Sequence, residues 1–194
     1  LIQKTFGCCR FVYNQTLAYR KNLYETEKKA MSKLDCNNYV TRELKRDYEW
    51  LKEVDKFALT NAVYSMDNAY QRFFKSRFGY PKFRSKHDHK QSYTTCITGT
   101  NIKVLFDQNK IQLPKLKLVK ARLSRPFYGQ IKNATVSQTP SGKYFVSITV
   151  ETEHEPLPST GSMIGIDLGI KDLLITSNGE KFDNKRIIKQ YEDK

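Results

Sequence analysis

The stretch MIGIDLGIKDLLITSNGEKF, residues 163–182, places one carboxylate, Asp167, between Ile166 and Leu168 in an apolar run punctuated by Gly165 and Gly169. "MIGIDL" and "DLLITS" read as apolar strands of a hairpin, and the Asn-Gly pair in "SNGE" favours a type I′ turn. Asp167 is therefore expected on a strand whose neighbouring side chains are buried. An ionised carboxylate there is costly unless it is hydrogen-bonded, paired or bound to a metal.

Upstream of this stretch, "EPLPSTGS" (155–162) carries two prolines and small polar residues, the composition of a linker. Before it lie short runs that alternate β-branched or aromatic residues with polar ones: "SYTTCI", "NIKVLF", "KIQL", "KLKLVKA", "NATVSQT" and "KYFVSITVE". "DQNK" and "TPSGK" supply turn chemistry between them. Five or six strands at this spacing predict a small barrel or a sandwich.

Residues 1 to about 78 carry a helical period. Phe6, Cys9, Tyr13, Leu17 and Tyr24 step by threes and fours, as do Leu59, Ala62, Met66, Ala69 and Phe73. Val40, Leu44, Tyr48 and Leu51 predict a shorter helix between them, and Gly79 and Pro81 end the last one. The expected class is α+β. The chain opens at Leu1 already in helical register, so further residues are expected before it.

The chain has 194 residues, a formal charge of +14 and 12% aromatic residues. Residues 71–132 hold fifteen Lys and Arg against two Asp, so nearly all of the excess lies there. Within "RFFKSRFGYPKFRSKHDHKQSY", Arg72, Lys75, Arg77, Lys82, Arg84, Lys86 and Lys90 interleave with Phe73, Phe74, Phe78, Tyr80, Phe83 and Tyr93. Cations neutralise phosphates while aromatic faces stack on bases, so this segment is expected to bind nucleic acid. His87 and His89, two residues apart with no third ligand in the pattern, are weak evidence for a metal.

No apolar run is long enough to span a bilayer, and no basic-then-apolar leader opens the chain, so no membrane partner is expected. Cys8, Cys9, Cys36 and Cys96 make no C-x-x-C pair, which disfavours a zinc site or a disulfide framework. They read as reduced, small apolar residues, in keeping with a cytoplasmic location.

Three readings of Asp167 remain open. It could hydrogen-bond the turn at Gly169. A similar "IGIDLG" opens the phosphate-cradling hairpin of actin-like and heat-shock-type ATPases, but there hydroxyl residues follow the glycine, where this chain has Ile170 and Lys171. It could also lie on the first strand of a ribonuclease H-like nuclease. There the strand-borne Asp bridges two Mg²⁺ ions about 3.5–4 Å apart. Hard oxygen ligands suit that ion, and one carboxylate cannot hold two metals.

"FGCCRFVYNQTL" (6–17), "WLKEVDKFALTNAV" (50–63), "GYPKFRSK" (79–86), "QSYTT" (91–95) and "IGIDLGIKDLLITSNGEKF" (164–182) resemble, in that order, the successive signatures of the TnpB (OrfB) family. That family comprises transposon-encoded RNA-guided endonucleases akin to type V CRISPR nucleases. The resemblance implies a helical recognition lobe (1–78) inserted in a small wedge β-barrel (79–157), followed by the first β-hairpin of an incomplete RuvC-like domain (158–194). It further implies guide RNA and target double-stranded DNA as partners, with the heteroduplex held by its backbone. A nucleoid-associated location when bound to DNA follows.

By the same resemblance, Asp167 matches the family's first catalytic, Mg²⁺-binding aspartate. Lys56, Thr60 and Asn61 lie on the helix that faces the target-adjacent motif, and Thr98 lies on the wedge segment that follows. The family's later carboxylates and its zinc ribbon have no counterpart before Lys194, and Glu180, Asp183, Glu192 and Asp193 follow Asp167 too closely, or in the wrong element, to substitute. Zinc is not expected in this chain. The chain is expected to bind RNA or DNA without cutting it, and to self-associate through residues 163–183 or be disordered at its C-terminus. The alternative is a naturally truncated, non-catalytic RNA- or DNA-binding regulator of transposition.

Overall fold

The three-and-four spacing of Phe6, Cys9, Tyr13 and Leu17 becomes one buried face of a single helix, α1 (Ile2–Glu27). The computed structural model describes residues 1–76, 79–153, 156, 158 and 160–186. Helix α1 stops where Lys28 adopts the left-handed region at φ 55° and returns its N–H to the Tyr24 carbonyl. Tyr24 itself is 59% exposed, because the buried stripe ends at Leu17 and the last turns of α1 reach past the core.

Helix α2 (Lys33–Tyr39) starts at a capping box. The Ser32 hydroxyl accepts from the Asp35 N–H, and the Asp35 carboxylate accepts from the Ser32 N–H. The Ser32 hydroxyl, donating to the same carboxylate at 2.6 Å, and then the Ser32 N–H hold the Asp35 carboxyl below its usual range. The expected short helix then runs through a π-helical turn (Val40–Leu44), one α turn, α3 (Lys45–Asp47), and a 3₁₀ segment (Glu49–Glu53). Val40, Leu44 and Leu51 are its buried anchors.

Helix α4 (Lys56–Ser76) buries Leu59, Ala62, Val63, Met66 and Tyr70. Its first turn is capped by the buried Asp55, whose carboxylate accepts from the Ala58 N–H at 3.1 Å and from the Thr95 hydroxyl at 2.5 Å. Helix α4 packs against both α1 and the first strand, so helices and sheet share one core.

Two antiparallel sheets follow. One orders its strands β1 (Gln91–Cys96), β5 (Gln130–Gln138), β6 (Tyr144–Glu151). Tyr93 and Thr95 of β1, with Ala134 and Val136 of β5, face the core at every second position. The other sheet joins β2 (Lys103–Leu105), β3 (Lys110–Gln112) and β4 (Val119–Lys120).

Among the described residues these six strands do not close into the expected barrel. β4 is two residues long and residues 121–129 carry no strand, so no ladder joins the two sheets. Gly129 leads into β5 at φ 110°, where a Cβ would fall 2.2 Å from the Glu151 carbonyl oxygen. Only glycine fits there.

The chain divides into two compact units, Leu1–Glu153 and His154–Lys194. In the second, residues 163–183 yield three strands rather than two: β7 (Ile166–Leu168), β8 (Asp172–Thr176) and β9 (Lys181–Asp183), in that order. The β8–β9 turn is not type I′. Gly179 takes the left-handed region at φ 85° and Asn178 does not. The Gly179 N–H meets the Thr176 carbonyl and the Thr176 N–H meets the Glu180 carbonyl, both at 2.9 Å. This is a three-residue loop ending in a left-handed residue, and Thr139, Gly142 and Lys143 repeat it between β5 and β6.

Candidate nucleic-acid interface

The basic segment begins on the last turns of α4, where Arg72 and Lys75 are exposed. Arg77 and Phe78 lie outside the described residues. Beyond them Tyr80 is tied down, its hydroxyl 2.6 Å from that of Tyr70, and Pro81 is buried. Burial, then the bond to Tyr80, raises the Tyr70 hydroxyl above the usual tyrosine range.

Arg84 anchors the loop. Its N–H donates to Asn14 Oδ1 at 2.8 Å, and its carbonyl accepts from Asn14 Nδ2 at 3.0 Å. Its guanidinium donates to Ser65 Oγ at 2.5 Å and lies 4.0 Å from the centroid of the Tyr13 ring. Arg84 is thus held by α1 and α4 together.

The next residues fold back on themselves. Ser85 N–H donates to Asp88 Oδ2 at 2.9 Å. The Gln91 side-chain amide donates to the Ser85, Lys86 and Asp88 carbonyls at 3.4, 3.3 and 3.1 Å. Arg10 of α1 reaches Gln91 Oε1 at 3.4 Å and lines, with Arg84, Asp88 and Lys90, a cavity of about 300 Å³. Lys82, Lys86 and Lys90 stand exposed on this pinned loop, with Phe83 60% exposed among them. A fixed backbone carrying exposed cations grips phosphates at little ordering cost.

A second group surrounds the start of α4. Lys56 is exposed over the Phe57 ring, and Thr60 is half-buried. Asn61 turns inward, its amide nitrogen 3.0 Å from both the Phe57 and Thr94 carbonyls, and so joins α4 to β1. Thr98 follows β1 in a turn closed by Asn101, whose Oδ1 accepts from the Thr98 N–H at 2.7 Å. Lys45, not singled out in the sequence, sits close enough to Lys56 to matter. Burial first, then the Lys56 charge, lowers its ammonium below the usual lysine range. No short-range motif marks Lys45 or Arg10; only the packing of distant segments brings them to these groups.

Asp167 lies on β7 opposite Ile175 and is exposed. The expectation that its neighbours are buried fails, since Ile166 and Leu168 are 59% and 75% exposed. All three residues of β7 are exposed. Among the described residues no three His, Cys, Asp or Glu side chains converge to hold a metal. Asp167 therefore does not complete a Mg²⁺ site with the residues described. Glu192 and Asp193 lie outside the described residues. No described helix is long and apolar enough to cross a membrane.

Comparison with known proteins agrees with the motifs. Residues 1–29, α1 and its cap, match the helix-turn-helix domain model of the OrfB proteins of IS605. InsQ of Escherichia coli (strain K12), named as an RNA-guided DNA endonuclease, is 30% identical over 91% of this chain and 43% of its own length. A Streptomyces pristinaespiralis protein of like name is 31% identical over 95% of this chain and 46% of its own. The virulence protein VsdF of Salmonella dublin is 35% identical over 42% of this chain and 77% of its own length. The chain thus spans under half the length of the two endonuclease relatives. With its motifs in family order and these matches across nearly its whole length, the chain belongs to the OrfB (TnpB) family.

Proposed function

We propose that this chain is the nucleic-acid-binding part of a transposon RNA-guided DNA endonuclease, holding guide RNA and target double-stranded DNA. The observation that carries the reading is the pinned basic loop: Arg84 and Gln91 fix the backbone while Lys82, Lys86 and Lys90 remain exposed. Residues 1–78 act as the recognition lobe and the strands of 79–157 as the wedge. Residues 158–194 act as the first strands of a RuvC-like domain that needs further carboxylates for its Mg²⁺ chemistry. Lys56, Thr60 and Thr98 face the motif beside the target, and Asn61, whose amide turns inward to the Phe57 and Thr94 carbonyls, positions that face of α4 against β1. The protein works in the cytoplasm, on the nucleoid.

Cleavage is not expected of this chain alone. A second reading, a non-catalytic regulator that occupies guide RNA or transposon ends, rests on the same pinned basic loop.

The test is to purify the chain at moderate salt, sequence any RNA that accompanies it, and assay Mg²⁺-dependent cutting. A single structured RNA ending in variable sequence supports the guided reading. A random mixture released by salt reduces the function to phosphate gripping. Cutting that disappears in Asp167→Asn would overturn the expectation that this chain cannot cleave.

A further inference from the structure

We propose that the groove between the ends of α1 and α4 binds an unpaired RNA segment, with bases stacked on Tyr24, Phe74 and Tyr80. The inference rests on the nucleic-acid reading and adds to it a site and a kind of strand.

The groove has a volume of about 720 Å³, within the range of about 300–1,000 Å³ that encloses small organic ligands. Its position follows from two local features. Lys28 turns the chain back at the end of α1, and Tyr70, Phe73 and Phe74 recur at helical spacing along one side of α4. Tyr80 closes it, bonded through its hydroxyl to Tyr70.

Tyr24, Phe74 and Tyr80 are 59%, 68% and 43% exposed, so burial in the core does not account for them. Clustered exposed aromatics mark interaction surfaces. Phe74 and Tyr80 are also already ordered. Phe73 packs on Tyr80 at 5.4 Å and on Phe74 at 5.1 Å, and Tyr70 on Phe74 at 6.1 Å with planes 20° apart. A base would enter between fixed ring faces.

Charge selects a polyanion. Arg20, Lys21, Lys28 and Lys29 line the groove against one acid, Glu25. Arg20 is engaged by Asp67, while the Lys21–Glu25 and Lys29–Glu27 pairs are exposed and exchange readily for a phosphate. The Lys28 ammonium lies over one face of the Tyr24 ring, 5.6 Å from its centroid, a cation–π contact that leaves the opposite face for a base. Glu25 and the tyrosine hydroxyls offer acceptors to a ribose 2′-OH, which deoxyribose lacks. A base-paired strand cannot present its ring faces to these aromatics, so the ligand is unpaired.

The experiment measures fluorescence anisotropy of the full chain with three probes: a short single-stranded RNA, DNA of the same sequence, and the RNA duplex. The double variant Tyr24→Ala/Phe74→Ala should bind the single-stranded RNA roughly tenfold more weakly or worse. Its duplex affinity should not change, and its loss on DNA should be smaller. Tyr24→Trp/Phe74→Trp should retain wild-type affinity. Tyr24→Leu/Phe74→Leu, which keeps apolar cover without ring faces, should fail like the alanine pair while melting like wild type. Unchanged single-strand binding by both the alanine and leucine pairs would overturn the site and leave it to an apolar protein partner. Equal loss on the duplex would overturn stacking, and equal loss on DNA would overturn the choice of RNA. If the wild type binds none of the three probes, the proposed function itself falls. If it binds while the variants match it, only the groove does.

Discussion

The Arg20 guanidinium of α1 lies 2.9 Å from the Asp67 carboxylate of α4 and 4.1 Å from the centroid of the Tyr70 ring. The two charged side chains are only 14% and 12% exposed, so each is the other's replacement for lost water. Removing one leaves the other buried and unmatched, which costs about 3–5 kcal/mol at fully buried sites. Asp67→Ala is expected to lower unfolding free energy by about 3 kcal/mol in urea titrations. Arg20→Met/Asp67→Leu should recover most of that, and a double variant no better than the single would remove the pair from the account.

Asp55 caps α4 and accepts from Thr95 at once. Asp55→Ala should destabilise by about 2 kcal/mol, since the lost cap and an unsatisfied buried hydroxyl each contribute about 1 kcal/mol. Asp55→Asn should lose less. Chemical denaturation decides it, and identical losses for the two variants would show that hydrogen bonding is not the cause.

Burial raises the Cys9 thiol to about 12 and the Cys36 thiol to about 11, from 9.0. Raised values in the folded state mean that the unfolded chain deprotonates first. Their contribution is whole below pH 9 and falls as pH climbs through the folded values, by about 1.4 kcal/mol per unit for each group. Urea midpoints should therefore drop between pH 9 and 11, and Cys36→Ala should flatten that decline. A stability curve level across this window would contradict it.

Lys82, Lys86 and Lys90 are exposed on the loop that Arg84 and Gln91 fix. If each meets one phosphate, replacing all three by alanine should reduce the log–log salt slope of duplex binding by about 2–3. Affinity measured across a salt series tests this. An unchanged slope would place phosphate binding elsewhere. Arg84→Ala should act differently, weakening the fold as well as the binding.

Met163, Ile170, Leu168 and Ile166 are 96%, 86%, 75% and 59% exposed around β7. Exposed apolar strands of this kind pair with further chains. Sedimentation velocity is expected to show concentration-dependent self-association, and Ile166→Lys/Leu168→Lys to abolish it. A monomer at every concentration, before mutation, would defeat the idea.

The helical stripes were legible because Phe6, Cys9, Tyr13 and Leu17, and likewise Leu59, Ala62 and Met66, repeat at the period of the face they bury. The strands were legible through alternation, as Tyr93 and Thr95 show. Closure of the strands was not, because it depends on ladders between runs distant in sequence, which local alternation does not specify. The turn at Asn178-Gly179 was misread since dipeptide preference is silent about loop length, and the partner of Thr176 turned out to be Glu180. Arg84 was read as a phosphate-binding cation and Asn61 as a residue facing the target motif, and the sequence could not show that Asn14, Ser65 and Thr94 would engage them.

The Asp55–Thr95 contact spans forty residues of chain. The carboxylate that caps α4 through the local Ala58 N–H is therefore held from its other side only once β1 has been synthesised and has docked. The start of the helix and the first strand should consequently open and close as one cooperative unit, with the Ala58, Leu59 and β1 amides exchanging hydrogen at a common rate. A chain that reaches only Ser76 would keep the Ala58 bond but leave the Asp55 carboxylate without the Thr95 hydroxyl.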